Sequence, residues 1–369
     1  MHEHNTFGAK GRERKYDVTA LGELLIDFTE NGLSGQGNFL FEANPGGAPC
    51  NVLAMLAKLG RRTAFIGKVG DDFLGRHLKE VVCEAGIDTE RLLMDSKVHT
   101  TLAFVHTAAD GDRDFSFYRN PGADMCLRAD EIDETCEALI TESKIFHFGS
   151  LSMTHPVVRE ATAKALAIAR EAGCLISFDP NLREPLWESH KEAREQIAYG
   201  MGWCDILKIS DNEIRWFTGK QDFDEGVRVL RKDYGIPLIL LSMGREGSRA
   251  YYDGGCCRDL RRAALASHNP DCCGASRDSL RGSIQVEAAA YLQKKTIETT
   301  GAGDTFCACV LHYILEHGLV QLTENQLREM LSFAGVAAAI ITTRKGALKV
   351  MPSRQEVEAL LKKENSKKQ

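Results

Sequence analysis

Strand-like and helix-like segments alternate along most of this chain, and that alternation restricts its fold more than any other feature. Short apolar runs such as Thr63–Lys68 and Cys174–Asp179 are separated by longer amphipathic stretches such as Pro156–Ala172. Parallel strands need long crossover connections, which are usually helices. The pattern therefore predicts an α/β protein with a mostly parallel central sheet covered by helices on both faces. Its first strand is predicted to run from Asp17 to Phe28.

Two segments break this alternation. Thr100–Thr107 and Arg113–Tyr118 are consecutive β runs, and the Asp-Gly dipeptide between them is typical of a hairpin turn. A hairpin cannot continue a parallel crossover pattern, so it predicts a small β appendage. Gly254–Ser283 has neither a strand nor a helix period and is rich in Arg, Ser, Cys and Gly. That composition predicts an inserted, flexible surface loop.

Charge, hydropathy and cysteine spacing argue against several classes of function. The 369 residues carry a net charge of −6, whereas nucleic-acid binders usually present a basic face. No apolar run approaches the roughly 18 residues of a membrane helix. The N-terminus is polar up to Lys15, so we expect a cytoplasmic protein without a membrane partner. Among twelve cysteines, the adjacent pairs Cys256-Cys257 and Cys272-Cys273 lack the spacing of a zinc site.

The segment Thr299–Phe306, with the sequence TTGAGDTF, carries the strongest chemical signal. Its small residues let the backbone approach an anion, and a helix that begins there directs unpaired N–H groups to the same place. We therefore expect the backbone amides of residues 301–304, which are Gly301, Ala302, Gly303 and Asp304, to bind a phosphate. Asp304 is the predicted catalytic base, because a carboxylate there can take the proton of an attacking hydroxyl. The alternative is an ordinary loop in which Asp304 only stabilises a helix N-terminus.

Four further motifs occur in a fixed order around this segment: NPGGAPCN at 44–51, GKVGDDFLG at 67–75, DPNLR at 179–183 and KISDNE at 208–213. Together with TTGAGD they resemble the ribokinase-like (PfkB) carbohydrate kinases, and within them the fructokinases most closely. The resemblance extends from about Asp17 to Pro352, apart from the insert. It implies a three-layer α/β/α kinase domain at 16–352 with lid strands near 29–44 and 98–120, an inserted loop at 254–283, and a C-terminal helix and tail at 353–369.

The same resemblance assigns the sugar side of the site. It implies that residues at the edge of the sheet and on the lid bind the substrate, namely Asp27, Gly46, Gly47, Asn51, Phe104, Phe117 and Arg119. Arg183 is expected to reach the transferred phosphoryl group, because a guanidinium matches phosphate oxygens in pairs. Plain strand packing is the alternative for the aromatic residues, and a surface salt bridge is the alternative for Arg183.

On the nucleotide side, the resemblance implies a site for ATP and one for Mg2+. Glu213 is expected to hold Mg2+ through water, because this ion keeps most of its waters. The residues assigned to the nucleotide are Ser210, Ser242, Gly244, Gly247, Thr300, Gly301, Gly303, Ala334 and Gly335. Relatives often carry Asn in place of Gly335. Glu298, with backbone carbonyls near Thr300 and Gly346, is the candidate K+ site.

These features predict an enzyme that transfers the γ-phosphoryl group of ATP to the 6-hydroxyl of D-fructose. The same chemistry on 2-keto-3-deoxygluconate, ribose, another ketose or a nucleoside stays open, as does a non-catalytic scaffold protein. The presence of Asp304, Gly301 and Gly303 favours the enzyme. A small sheet that stands off the domain exposes one face and an edge, which predicts a homodimer formed through the lid.

Overall fold

The computed structural model describes residues 13–107, 113–254 and 283–367. The predicted Asp-Gly turn and the interior of the predicted insert lie outside the described residues. Within the described part, the strands are β1 Tyr16–Leu21, β2 Leu25–Leu33, β3 Phe39–Gly46, β4 Thr63–Gly70, β5 Ile87–Asp95, β6 Leu102–Thr107, β7 Arg113–Tyr118, β8 Ser143–Gly149, β9 Leu175–Asp179, β10 Ile206–Ser210, β11 Leu238–Ser242, β12 Ser248–Asp253 and β13 Ser283–Ala288. The helices there are α1 Ala48–Lys58, α2 Phe73–Glu84, α3 Glu134–Thr141, α4 Pro156–Glu171, α5 His190–Trp203, α6 Asp211–Thr218, α7 Phe223–Tyr234, α8 Ala302–His317, α9 Glu324–Ile341 and α10 Arg354–Lys367.

The large sheet has nine strands in the order β13-β12-β11-β10-β9-β8-β1-β4-β5. All neighbours from β11 to β5 run parallel, and β12 and β13 add two antiparallel strands at one edge. The predicted mostly parallel sheet is therefore confirmed. None of the described helices is both long and apolar enough to cross a membrane.

Helices cover both faces of this sheet, which gives three layers. The core on one face is formed with α1, α2, α8 and α9, and the core on the other face with α3 to α7. Strand β11 shows why its sequence is apolar throughout: Leu238 and Leu240 belong to the first core, whereas Ile239 and Leu241 belong to the second. A strand buried on both faces has no polar side to alternate with.

The prediction of a single strand Asp17–Phe28 is wrong, because β1 and β2 belong to different sheets. The chain leaves the large sheet at Gly22, where a Cβ would stand 2.5 Å from Cγ of Pro49. Glu23 follows, and its carboxylate accepts a hydrogen bond from the Ala48 amide at 2.8 Å. The apolar run from Asp17 to Phe28 therefore gives no sign that the chain passes from one sheet to the other.

The small sheet, called the lid below, has the strand order β3-β2-β6-β7. Strand β2 pairs antiparallel with β3 and parallel with β6, and β6 and β7 pair antiparallel as a hairpin. The predicted small β appendage is therefore confirmed, and β2 and β3 belong to it along their whole length.

Candidate active site

The carboxyl ends of three neighbouring strands lie at one edge of the large sheet. Asp179 ends β9, Ser210 ends β10 and Ser242 ends β11, and the last two residues are direct partners in the sheet register. The N-terminus of α8 reaches the same edge, because Gly303 lies beside Lys208 of β10. Ligands of open α/β sheets bind at this end of the strands.

Helix α8 begins at the predicted motif. Gly301 is its N-cap with φ 75°, in the left-handed region that favours glycine, and a Cβ there would lie 2.7 Å from Cβ of Ala347. Among the described residues, the N–H groups of Gly303 and Asp304 have no acceptor, whereas that of Ala302 donates to the Thr299 carbonyl at 3.2 Å. Of the four backbone amides predicted to bind phosphate, those of Gly303 and Asp304 are thus free for a ligand.

Asp304, the predicted base, lies in the first turn of α8 and is 8% exposed. Its Oδ2 accepts a hydrogen bond from Nδ2 of Asn51 at 2.8 Å, so the fold joins two predicted site residues that are distant in sequence. Burial raises the pKa of Asp304 above its ordinary value, although the Asn51 hydrogen bond and the Lys208 charge oppose the rise. A raised pKa makes an ionised carboxylate a stronger proton acceptor.

Lys208, to which the sequence motifs give no role, lies between these elements. Its ammonium is 3.0 Å from Oδ2 of Asp179, and its side chain is 7% exposed. Burial disfavours the charged form, but the carboxylates of Asp179, Glu213 and Asp304 outweigh that effect and hold the pKa of Lys208 above its ordinary value. Burial also raises the pKa of Asp179, although the Lys208 charge opposes the rise.

Ser210 and Glu213 form the capping box at the start of α6. Glu213 Oε2 accepts from the Ser210 amide at 2.8 Å and from its hydroxyl at 2.7 Å, while Oε1 accepts from the Leu182 amide at 2.7 Å. Burial alone would raise the pKa of Glu213, but the Lys208 charge and these donors hold it below its ordinary value. One lone pair of Oε1 remains for a further donor, such as a metal-bound water.

The residues around Glu213 fit Mg2+ held mainly by phosphates and water. No group of three or more His, Cys, Asp or Glu residues suited to a metal occurs in the described part of the chain. Mg2+ makes no such demand, because it is usually held by one or two carboxylates, by substrate phosphates and by its own waters. Glu213 can supply the single water-mediated contact that was predicted.

On the sugar side, two glycines keep space between the lid and α1. A Cβ on Gly46 would overlap Oδ2 of Asp27 and stand 3.2 Å from its Cγ. Gly47 is the N-cap of α1 with φ 126°, and a Cβ there would overlap the carbonyl oxygen of Glu23. Asn51 follows one turn later in α1. Because neither glycine has a side chain, the Asp27 carboxylate can lie close to the start of α1, the helix that carries Asn51.

The two aromatic residues predicted to cover the sugar lie on opposite faces of the lid. The register pairs Asp27 with Ala103 and Ala103 with Phe117, so Phe117 shares the face of Asp27. Phe104 is one residue further along β6 and stacks on Phe28 with ring centroids 4.9 Å apart. The structure therefore corrects the prediction for Phe104, because side chains alternate between the faces of a strand.

Arg119 also differs from its prediction as a sugar contact. It is 6% exposed, and its guanidinium pairs with Asp124 at 2.6 Å and donates to the Leu151 carbonyl and the Thr154 hydroxyl, both at 2.9 Å. Asp124 accepts in addition from the hydroxyl of Thr101, just before β6. Arg119 follows β7 directly, so its buried contacts anchor both ends of the lid hairpin to the large domain.

A cavity of about 470 Å³ opens beside this edge of the sheet, and Arg183, Lys208, Ser210 and Glu213 are among its lining residues. The Arg183 guanidinium donates to the carbonyls of Asn181 and Leu182, at 3.4 and 3.1 Å, and remains exposed. The residue predicted to contact phosphate and the one predicted to hold Mg2+ thus border the same space.

The predicted nucleotide turn follows β11. Gly244 opens a short turn, Gly244–Glu246, and a Cβ on Gly247 would overlap the carbonyl oxygen of Ala288 at the end of β13. Glycine at 247 therefore lets this turn pack directly on the neighbouring backbone.

Ala334 and Gly335, predicted to line the nucleotide site, lie in α9. Ala334 is fully buried, and a Cβ on Gly335 would stand 3.4 Å from the ring of Tyr291. A side chain at 335 would therefore begin in contact with that ring. A larger cavity of about 780 Å³ lies between the 287–297 segment and α9 and α10, and none of the predicted nucleotide residues lines it.

Glu298, the candidate K+ residue, is buried between two loops. Its Oε1 accepts from the Thr300 hydroxyl at 2.5 Å, and its Oε2 accepts from the Gly346 amide at 2.9 Å. The adjacent Lys345 donates to Asn31 of the lid at 2.7 Å. Both carboxylate oxygens are thus engaged by protein donors that tie the predicted phosphate-binding loop to a loop touching the lid.

Glu23 and Lys208 are the site residues that sequence reasoning missed. Glu23 Oε2 is buried without a hydrogen-bond partner in the described part of the chain, and burial raises the pKa of Glu23 to about 7. Each is an ionisable residue inside an otherwise apolar run, GELLI and ILKIS. Burying such a group is costly unless it is paired or functional, and that signal could have identified both.

Comparison with known proteins agrees with this geometry. A protein-family model described as "pfkB family carbohydrate kinase" matches residues 15–268 and 273–354 of this chain. "Probable fructokinase-2" of Arabidopsis thaliana is 38% identical over 347 residues, which cover 94% of this chain and 95% of that protein. "Fructokinase-1" of Zea mays is 38% identical over 357 residues, covering 96% of this chain and 99% of that protein.

Solved structures give the same likeness. The crystal structure of fructokinase with bound ATP from Xylella fastidiosa has a TM-score of 0.78 and 26% sequence identity, and covers 95% of this chain and 99% of that one. A fructokinase double mutant from Vibrio cholerae in its fructose, ADP and potassium ion bound form has a TM-score of 0.74 at 26% identity, with coverage of 95% and 100%.

Proposed function

This chain belongs to the pfkB family of carbohydrate kinases and phosphorylates a sugar with ATP, and we propose that the sugar is D-fructose and that its 6-hydroxyl accepts the phosphoryl group. The similarity to proteins named fructokinase supports fructose, as does the fructose held by the Vibrio cholerae structure. The alternatives of another sugar or a nucleoside have weaker support, because the solved aminoimidazole riboside kinase of Salmonella enterica is 25% identical to this chain, whereas the two fructokinases named above are 38% identical.

The observation that carries this proposal is the arrangement at the start of α8. Asp304 is buried and accepts a hydrogen bond from Asn51. In the same first turn of α8, the backbone amides of Gly303 and Asp304 have no acceptor among the described residues. A base and two aligned donors at one helix N-terminus are the parts that phosphoryl transfer to a hydroxyl requires. Burying a carboxylate without an ion-pair partner is costly, and a scaffold protein would gain nothing from one at this position.

In the proposed mechanism, Asp27 and Asn51 bind and orient the sugar hydroxyls. The carboxylate of Asp304 accepts the proton of the attacking 6-hydroxyl, and the free amides of Gly303 and Asp304 donate to the oxygens of the transferring phosphoryl group. Mg2+ bound with ATP neutralises charge on the phosphate oxygens, and Glu213 would hold it through a water. Arg183 lies at the rim of the same cavity and can pair with a phosphate oxygen.

We assign no step to K+. Both oxygens of Glu298 hold protein donors, and these bonds already tie the Thr300 and Gly346 loops together. The protein itself thus supplies the link between these loops.

The lid is proposed to close over the sugar and to form a homodimer. Its second face presents Phe28, Phe41, Phe104 and Tyr118 as one aromatic cluster, with Phe41 and Tyr118 each 5.3 Å from Phe104 between ring centroids. Phe41 is 42% exposed and Tyr118 65% exposed. A second copy of the lid across a twofold axis would bury these rings.

A substrate panel tests the proposed function. The full chain with MgATP is assayed on D-fructose, D-ribose, 2-keto-3-deoxygluconate and a nucleoside, and the product is identified by NMR. We expect the highest kcat/KM on fructose and phosphorylation at its 6-position. A higher kcat/KM on another compound, or ATP hydrolysis without a phosphorylated product, would contradict the proposal.

A further inference from the structure

We propose that Lys208 is a catalytic residue whose ammonium contacts the transferring phosphoryl group, together with the free amides of α8. This inference rests on the proposed function, because it concerns the same transfer. It adds a fixed positive charge to a site for which the motif supplies only amides.

The position of Lys208 is the first argument. A methyl group placed on Gly303 would stand 3.0 Å from Nζ and 3.5 Å from Cε of Lys208, so the ammonium lies directly against the first turn of α8. The side chain also lines the cavity of about 470 Å³ that Arg183 and Glu213 border. Lys208 therefore touches both the predicted phosphate-binding backbone and the open space in front of it.

The second argument is that Lys208 has hydrogen-bond donors to spare. An ammonium carries three N–H donors. In the described part of the chain Asp179 is the one ionic partner of Nζ, and Oδ2 of Asp179 still lacks a well-directed hydrogen bond. Burying an incompletely paired charge is unfavourable, so an acceptor from a ligand would complete this site.

Lys68 shows what a buried lysine with a structural role looks like in the same sheet. It is 3% exposed, and its Nζ reaches three acceptors: Asp95 at 3.5 Å, the Cys126 carbonyl at 3.0 Å and Glu131 at 2.8 Å. Lys208 is also buried, at 6% exposed, but in the described part of the chain its ammonium has one ionic partner, Asp179. The difference points to a ligand rather than to the fold.

The surroundings of Lys208 favour a phosphoryl group as that ligand. Asp179 holds the ammonium from β9, while Glu213 and Asp304 surround it at longer range and keep it protonated. A cation fixed in a buried site stabilises the charge of a transferring phosphoryl group without reorganisation. Its charge also favours the ionised form of the Asp304 base.

The test compares two lysine-to-methionine variants. K208M removes the ammonium and keeps the length of the side chain. K144M is the matched control, because Lys144 also leaves a strand of the large sheet to pair with a carboxylate, Asp17 at 2.8 Å, but does so at the amino end of β8. We expect K208M to lower kcat by about 10²–10³, the effect of losing one oxyanion donor, and K144M to keep kcat.

Two readouts separate catalysis from structure. K208A should recover part of its kcat in methylammonium, which can occupy the vacated position, whereas K144A should not respond. The sugar KM of K208M should stay within about threefold of wild type, as expected if the charge acts on the phosphoryl group. Should K208M not fold, K208Q replaces it in every arm.

Kcat of K208M or K208Q within threefold of wild type would overturn the inference, as would a K208A variant that methylammonium leaves unchanged. The affinity for ADP with aluminium fluoride, measured by calorimetry, needs no sugar. If wild type phosphorylates none of the panel sugars, the proposed function fails, while weaker binding of this mimic to K208M would still support an anion contact. Equal binding to both proteins would oppose it.

Discussion

The two sheets of this protein differ in what they bury. Every residue of β1 in the large sheet is buried, whereas five of the eight residues of β3 in the lid are exposed. The large sheet has a helical layer on each face, and the lid keeps its aromatic face open. Packing on both sides makes a sheet rigid, and a sheet packed on one side is freer to move.

The predicted site divides along the same boundary. Asp304, Lys208 and Asp179, which we propose surround the transferring phosphoryl group, are buried in the large domain. Asp27, expected to bind the sugar, lies on the lid beside Gly46. We propose that the rigid part serves the chemical step and the lid serves substrate binding, and the following predictions test that division.

The largest expected effect is on the rigid side. D304N should lower kcat by ~10²–10⁴, the usual contribution of a general base, with little change in sugar KM. Because burial raises the pKa of Asp304, its ionised form destabilises the fold at neutral pH, and this penalty disappears as the pH falls below the ordinary Asp value. D304N should therefore be at least as stable as wild type at pH 7. Steady-state kinetics and thermal unfolding measure both.

D17N is the matched control for D304N. Although burial alone would raise the pKa of Asp17, its bonds to Lys144 and the Arg62 amide hold it below its ordinary value. Asp17 thus contributes stability that is present above the ordinary Asp pKa and is lost as the pH falls. D17N should lose stability at pH 7 and keep kcat. A D304N variant with near-wild-type turnover would refute the assignment of the base.

The next effect concerns Glu23, at the joint between the two sheets. Burial raises its pKa to about 7, so Glu23 stabilises the fold in its neutral form below pH ~4.5, and that contribution is lost as the pH rises through about 7. The stability of E23Q relative to wild type should rise by up to about 3 kcal/mol over that interval. Urea unfolding at one protein concentration and at several pH values measures it, and parallel curves for the two proteins would refute it.

A smaller effect is expected on the lid side. G46A places a methyl group against Oδ2 of Asp27 and should turn that carboxylate away from the sugar. We expect the KM for the sugar to rise about 10- to 100-fold, the value of a hydrogen bond to a charged group, with a smaller change in kcat. G35A, in the lid turn where a Cβ meets no atom within 4 Å, is the control and should behave as wild type. Equal losses in kcat and kcat/KM for G46A would contradict the division of roles.

The smallest expected effect is on the aromatic face of the lid. F41E should weaken the proposed homodimer by about tenfold or more, as expected for a charge placed in an apolar contact. Y199E is the matched control, because Tyr199 of α5 is 39% exposed and Phe41 is 42% exposed. Sedimentation across a concentration series measures the dissociation constant. A monomeric wild-type protein would refute the dimer itself.

Much of the fold and part of the site could be predicted from the sequence. The family and the three-layer fold are confirmed, and the fold brings two of the predicted site residues, Asp304 and Asn51, into contact. The hairpin β6–β7 was predictable because its two runs are separated by a local turn signal. Phe104 and Arg119 were misplaced for a common reason. Successive side chains of a lid strand point to opposite faces, so Phe104 lies on the face away from Asp27. Arg119 follows the strand and turns into the large domain. A position near the lid in sequence therefore did not fix the direction of either side chain.

The sequence by itself determined the alternation of strands and helices, and it predicted the loop that would bind an anion. Both depend on local periodicity and on the small residues of TTGAGD. Only the tertiary structure decided that the run after Tyr16 divides between two sheets at Gly22, and that Lys208 stands against Gly303. These features depend on contacts between residues that are distant in sequence. Apolar strands buried on both faces look alike along the chain, and packing alone selects their neighbours.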